Sequence, residues 1–271
     1  MNLMGDEGMR ALNAAASGMK GLQLKIDTIA NNLANVNTTG FKKQRVEFKD
    51  LLYENILQEQ KVDTDGRPVI VQIGQGVMTS ATTRSFVPGT LQNTNGDTDV
   101  AINGDGFFEI VDEKGKTRFT KDGSFKISLI DGNSYLVTNE GYKVQGLDGD
   151  INLGTDVDKI IIDKSGKISV KRNGSDNEEE VTTLKTDKFF NPSGLESIGS
   201  NLYASTAVSG NPISNETEDT GEVWQGFLET SNVQVVDEMI NMITAQRAYE
   251  INSKTIQTAD KMLELANNLR R

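Results

Sequence analysis

Residues 12–36 read LNAAASGMKGLQLKIDTIANNLANV. Within them Ala15, Met19, Leu22, Ile26, Ile29, Leu33 and Val36 recur by alternating threes and fours. That is the a/d spacing of a helix that packs along a narrow seam against another helix. The pattern predicts a helix from about Arg10 to Val36, after a loose lead-in over residues 1–8, and a helix this long is marginal without a partner. Asn37-Thr38-Thr39-Gly40 then stops it, because Asn and Thr favour local turns and Gly40 can adopt the left-handed conformation of a helix terminus. A second seam lies near the other end. Val236, Ile240 and Ile243, then Ile251, Thr258, Met262, Leu265 and Leu269, follow the same rule with a phase break around Arg247. Ser231-Asn232-Val233-Gln234 fits a capping box, which predicts a helix from Ser231 to about Asn268.

Between the two seams the period changes. The connector from Phe41 opens with Lys42, Lys43 and Arg45, continues through an amphipathic piece (Phe48, Leu51, Leu52, Ile56) and a polar turn over Asp63 to Pro68, and then reads as strand from Val69 to Met78 with breaks at Gly74 and Gly76. From Val100 onward, turn signals such as Gly104-Asp105-Gly106, Lys114-Gly115, Asp122-Gly123, Asp131-Gly132, Glu140-Gly141, Asp148-Gly149, Ser165-Gly166 and Asn173-Gly174 mark short antiparallel strands. Val100, Ile102, Phe107, Phe108, Ile110, Phe119, Phe125, Ile127, Leu136 and Val144 are the expected core, Asp176 to Glu180 an acidic loop tip, and Ser209 to Gly221 a second loop. The expected fold is α+β: coiled-coil-like N- and C-terminal helices packed together, with a central, mostly antiparallel β domain. Its expected divisions are 1–40, a connector over 41–96, the β domain over 97–224, and 225–271 completing the helical core.

Composition narrows the function. The 271 residues include no cysteine and no histidine, which removes thiolate chemistry, the commonest general base and the commonest metal ligand. The net charge of −11 is uneven: residues 1–50 carry +2, residues 231–271 are neutral and the middle carries −13. An acidic body argues against nucleic-acid binding, and near-neutral ends suit helices that pack beside many like copies. No run of apolar residues is long enough to span a bilayer, so no membrane insertion is expected. Nor does the N-terminus read as a cleaved export signal.

The motifs that could hold chemistry are weak. Asp63-x-Asp65-Gly66 and Asp148-x-Asp150-x-Asn152 resemble fragments of a calcium loop, but Leu153 stands where glycine is required and Lys159 where the bidentate glutamate belongs. Gly104-Asp105-Gly106 lacks the third glycine of a dinucleotide fingerprint. Glu109, Asp112 and Glu113 read as solvated turn residues, although a carboxylate pair is what a wall-hydrolysing site would need. Neither an enzyme nor a cofactor is expected. The cluster Asn31, Asn32, Asn35 and Asn37 is costly inside a helix. It marks either a frayed end or amides that hydrogen-bond to neighbouring helices in an assembly.

The same cluster carries a family resemblance. Ile29-Ala30-Asn31-Asn32-Leu33-Ala34-Asn35-Val36-Asn37-Thr38-Thr39-Gly40-Phe41-Lys42 closely resembles the N-terminal signature of flagellar rod and hook proteins. Met242-Ile243-Thr244-Ala245-Gln246-Arg247-Ala248-Tyr249-Glu250-Ile251-Asn252-Ser253-Lys254, with Asp260-Lys261-Met262-Leu263, is similar to their C-terminal signature. Gly104-Asp105-Gly106-Phe107-Phe108 and Thr120 to Phe125 resemble their β domain, and Gly194 to Tyr203 and Gln225 to Val233 look most like the distal-rod branch. Members usually begin near the position of Met9, so either Met1 or Met9 is the start. The resemblance implies a structural subunit of the distal rod, in the basal body where the rod crosses the periplasm. The subunit would be sent out by the type III export apparatus and stack helically on copies of itself, with adjacent rod and hook subunits and flagellar ring proteins as partners. Proximal rod or hook subunits are the near alternatives, and a periplasmic wall-binding or wall-modifying module is the distant one.

The expected assembly residues are Leu22, Ile26, Ile29, Asn31, Asn32, Leu33, Asn35, Val36, Asn37, Gly40 and Phe41 at one end. At the other they are Ile240, Ile243, Arg247, Tyr249, Ile251, Met262 and Leu265. If the ends gain their order from sister copies, the free monomer will show rapid amide exchange over 1–45 and 230–271. Ends that are fully protected in a micromolar monomer would contradict this.

Overall fold

A computed structural model of the chain describes residues 3–56, 71–130, 132–155, 157–172, 178–215 and 221–269. The polar turn at 63–68, the Asp63 motif, the Asn173-Gly174 turn and much of the loop before Gly221 lie outside these residues. The chain forms two compact units: residues 1–33, 44–83 and 234–271, and residues 34–43 with 84–233.

The first unit is built on α1 (Leu3–Ala34) and α2 (Val235–Leu269). α1 begins well before Arg10, so most of the expected lead-in is helical, and it stops at Ala34 because Asn35 bonds forward into a turn, accepting from the Thr38 N–H at 3.2 Å. α2 starts four residues later than the capping-box reading. The Ser231 hydroxyl accepts from the Val233 N–H, an intervening turn contact and not a helix cap. Strand Gln44–Asp50 pairs with Val77–Arg84, and Tyr53–Ile56 with Val71–Gly74 in antiparallel register. The amphipathic piece therefore places Phe48 and Ile56 on strands and Leu51 and Leu52 in the break between them.

The second unit is all β apart from one short 3-10 turn and the exit from α1. Its largest sheet is antiparallel and runs in the order Lys126–Ile130, Asn133–Val137, Lys143–Gly146, Phe107–Val111, Thr117–Thr120, Leu202–Ala204, Glu196–Gly199. A three-stranded meander, Val157–Ile162, Lys167–Arg172 and Glu178–Thr183, flanks it. The expected core residues are buried, with one exception: Ile127 is 47% exposed. Ile151, Leu153, Ile160, Ile162, Ile168, Val170, Leu184 and Val223 complete the cluster. A second, aromatic cluster gathers Phe107, Phe119, Phe189 and Tyr203, with Phe86 against it, in edge-to-face contacts. Glu178 to Glu180, expected in a loop tip, open a strand instead. Arg172 and Lys167 across the ladder bond Glu179 and Glu180 at 2.8 and 2.6 Å.

A buried charge cluster ties the exit from α1 to the segment that leads into α2. Lys42 and Glu229 are both buried, with their charged atoms 2.5 Å apart. Lys42 Nζ also donates to the Val87 carbonyl, and the Gly89 N–H donates to Glu229 at 2.7 Å. Lys121 lies 3.9 Å from the other Glu229 oxygen and donates to the Gly104 carbonyl. Burial pulls its ammonium down to about 8, with Glu229 opposing that shift and Lys42 adding to it. Backbone bonds run alongside: Gly40 N–H to the Glu229 carbonyl at 2.8 Å and Asn232 N–H to the Phe41 carbonyl at 3.4 Å. The Asn232 side chain accepts from the Lys43 N–H and donates to the Ser85 and Val87 carbonyls. Gly40 is required here, because at φ +65° a Cβ would lie 2.7 Å from the Asp122 nitrogen. These bonds hold residues 40–43 and 229–232 in the β unit, so fast exchange in the monomer is expected to stop short of them.

Removing one partner of a buried pair leaves the other charge uncompensated, at a cost of about 3–5 kcal/mol. Glu229→Ala is expected to lower the unfolding free energy by roughly that amount in urea titrations followed by Trp224, the single tryptophan. The double change Lys42→Met with Glu229→Leu is expected to recover little, because the Gly89 N–H and Lys121 still lose their acceptor.

Candidate assembly surface

The two helices meet at small and polar side chains. A Cβ on Gly18 would sit 3.1 Å from the Asn252 amide, and the buried Asn32 amide donates to the Glu238 carboxylate at 3.1 Å. These contacts pair 18 with 252 and 32 with 238, so the helices run antiparallel. On α2 the positions Glu238, Ala245, Asn252 and Ala259 follow one another at heptad spacing. Glu238, Ala245 and Ala259 are buried and Asn252 half-buried. Connector strands cover more of α1 through its small residues: Phe48 rests on Gly21, and the Val77 N–H points at the Ser17 hydroxyl. Asn32 joins these contacts, since its amide also donates to the Gln44 carbonyl and its oxygen accepts from the Gln44 N–H, both at 2.9 Å.

The large apolar residues of α2 face the other way. Val236, Met239, Ile240, Ile243, Ile251, Met262 and Leu265 are all exposed, with Ile251 at 63%, and Arg247 and Tyr249 are exposed with them. The sequence seam on α2 is therefore an outward stripe, while the inward seam consists of residues too small or too polar to register as hydrophobic. On α1, Ile29 is buried and Leu22, Ile26, Leu33 and Val36 are half-buried. Asn31 and Asn37 are exposed and Asn35 half-buried. Asn32, Gly40 and Phe41, expected to meet sister copies, are buried within their own chain. Glu229 and Asn232 were not singled out as site residues; the signal available was a charge and an amide inside an otherwise apolar strand-and-turn segment.

The carboxylates resolve differently from their reading in the sequence. Asp148 accepts from Thr182, Asp150 from Lys143 and Gln145, and Asn152 from the Gly154 N–H. Glu109 is not solvated. It is buried on Phe107–Val111, 2.8 Å from Lys185, and its charge bears on the carboxyl group of Asp187, which is also buried. Such a pair resembles a hydrolytic dyad in composition, but its burial denies a polymeric substrate any approach.

Three matches fall along the chain in the order of its elements. Residues 12–42 match the family described as flagella basal body rod protein, residues 101–170 the flagellar hook protein FlgE/F/G D1 domain, and residues 225–269 the flagellar basal body rod FlgEFG protein C-terminal region. The flagellar basal-body rod protein FlgG of Borreliella burgdorferi is 49% identical over 269 residues, covering 97% of this chain and 99% of that protein. The chain belongs to the flagellar basal-body rod protein family. The FlgG proteins of Buchnera aphidicola subsp. Schizaphis graminum (42% identical, 93% of this chain, 96% of that protein) and Caulobacter vibrioides (40%, 97% and 100%) agree. As a rod-family member it is a structural protein of the flagellar basal body. None of its helices, among the described residues, is long and apolar enough to cross a membrane. Lys42, which ends the N-terminal signature, pairs with Glu229 in the stretch Gln225 to Val233.

The Glu109–Asp187 pair predicts a pH dependence. Burial, and then the charge of Glu109, push the Asp187 carboxyl from 3.8 up to about 7, against the pull of Lys185. A carboxyl raised on folding holds a proton that the unfolded chain has already released. Its contribution is therefore complete below about pH 3.8 and lost as the pH rises through about 7. Denaturant titrations from pH 4 to 8 should show this loss. Asp187→Asn should remove that slope and be more stable than the parent at pH 8.

Proposed function

We propose that this chain is a structural subunit of the distal rod, the drive shaft that crosses the periplasm and carries torque from motor to hook. In this reading the subunits stack helically through the outward faces of α1 and α2, which form a coiled-coil-like core. The adjacent rod and hook subunits, the ring proteins and the type III export apparatus are its partners. One observation carries the reading: α2 hides its small residues and exposes its large ones. Burying a single Ile or Leu is worth about 1.5–3 kcal/mol, so a stripe of seven apolar side chains left in water is a strong drive to associate. A contact of this kind that joins different faces and does not close produces a filament.

Gly194 to Tyr203 and Gln225 to Val233 favour the distal branch over the proximal and hook alternatives. So do the relatives that carry the FlgG name at 38–49% identity, against 30% for the hook-basal body complex protein FlhP of Bacillus subtilis. The exposed residues give a cleaner test than buried Ile29, whose replacement would disturb the monomer itself. Ile243→Asp or Ile251→Asp should leave the β unit folded, with an unchanged urea midpoint, and should abolish rods in isolated basal bodies and swimming in cells. Normal rods from both variants would refute the stripe as the contact.

A further inference from the structure

Among the described residues several strands of the large sheet have a single neighbour, and two of these are mostly exposed. One is Lys126–Ile130, laddered with Asn133–Val137, and the other is Glu196–Gly199, bonded to Leu202–Ala204. Lys126–Ile130 has no proline, no bulge and one charge. Ile127 lies opposite Leu136 and Leu129 opposite Ser134, and residues directly opposite share a face of the sheet. Leu136 and Ser134 are buried, yet Ile127 and Leu129 are 47% and 75% exposed. The core-facing side of this strand thus overhangs the core. A flat edge with exposed apolar side chains is a template for another strand, and proteins ordinarily guard such edges with charge. The meander's edge is guarded in that way by Glu178 to Glu180. Glu196–Gly199, exposed along its whole length, carries Ile198 at 45% exposure and a bulge between Ser197 and Gly199.

We propose that these two edges pair between successive copies of this chain, Lys126–Ile130 of one copy lying against Glu196–Gly199 of the next. The contact deepens the rod-subunit reading and rests on it. Three observations select a second copy as the occupant. An open strand edge presents rows of N–H and C=O groups that another extended backbone satisfies, and the same sheet supplies a second open edge. Lys126 and Glu196 have no ion partner among the described residues and are of opposite sign. Paired in parallel, Lys126–Ile130 against Glu196–Gly199 sets Lys126 beside Glu196, whereas against its own kind it would set lysine beside lysine. The two edges also belong to different strands of one sheet, so the contact joins unlike surfaces, the kind that builds a filament when the rotation between copies does not close. It would bring Ile127, Leu129 and Ile198 out of water and extend the sheet from subunit to subunit.

The absence of cysteine from the chain makes the test clean. Cells producing Ser128→Cys with Ser197→Cys as the sole rod subunit are grown, and their basal bodies are isolated and treated with a short bis-maleimide. The proposal expects a ladder of cross-linked multimers from the double variant and its loss in either single variant. Intact rods without a ladder would overturn the edge contact while leaving the rod-subunit reading in place. A ladder from Ser128→Cys alone would overturn it in favour of like edges meeting. Lys126→Cys with Glu196→Cys repeats the test, read in the same way, should the first pair fail to assemble. Rods that persist in cells lacking this chain altogether would instead remove the rod-subunit reading.

Discussion

The Lys42–Glu229 pair is the constraint on which the arrangement of the chain depends. Two charges in a site closed to water are tolerated only when geometry and further hydrogen bonds satisfy them. Here the Val87 carbonyl and the Gly89 N–H supply such bonds, and Lys121 adds a second positive charge 3.9 Å from the other Glu229 oxygen. The consequence is topological. Residues far apart in sequence, just after α1 and just before α2, are fixed to one another inside the β unit. The segments that follow α1 and precede α2 are therefore held beside each other within the β unit. Screening by salt and competition from water reach this dry ionic clasp poorly.

Small residues do the complementary work in the helical unit. Gly18, Gly21 and Ala245 let backbones and rings approach closely, and Asn32 satisfies strand and helix at once. With the inner contact made by small side chains, the large ones on α2 remain on the surface. A monomer designed for solubility alone would hide Ile240, Ile243 and Ile251; their exposure is the feature on which the proposed contact between copies rests. The β unit repeats this logic at Ile127 and Leu129, where a core-facing pair extends past the core it would normally line.

The asparagine cluster shows how one motif divides between roles. Asn32 is internal, and the turn formed by Asn35 with Thr38 ends α1. Asn31 and Asn37 remain at the surface. Buried Asn in a helix pairing is a recognised device for fixing register. Here the register it fixes is within the chain, between α1, α2 and the first connector strand.

Periodicity alone determined that this chain has a helix at each end and strands between, because the apolar spacing of a helix and of a sheet differ and turn residues mark each reversal. The core of the strands was legible for the same reason, from Val100 to Val144 with the exception of Ile127. Tertiary structure decided which side of each helix faces inward. Hydrophobic patterning weighs large residues, whereas close helix packing selects small ones, so the stripe through Ile240 and Ile251 read as a seam when it is a surface. It also decided the partners of Glu229, Asn232 and Asp187. Burial and pairing across long sequence separations are properties of the folded backbone, and no local spacing in the sequence encodes them.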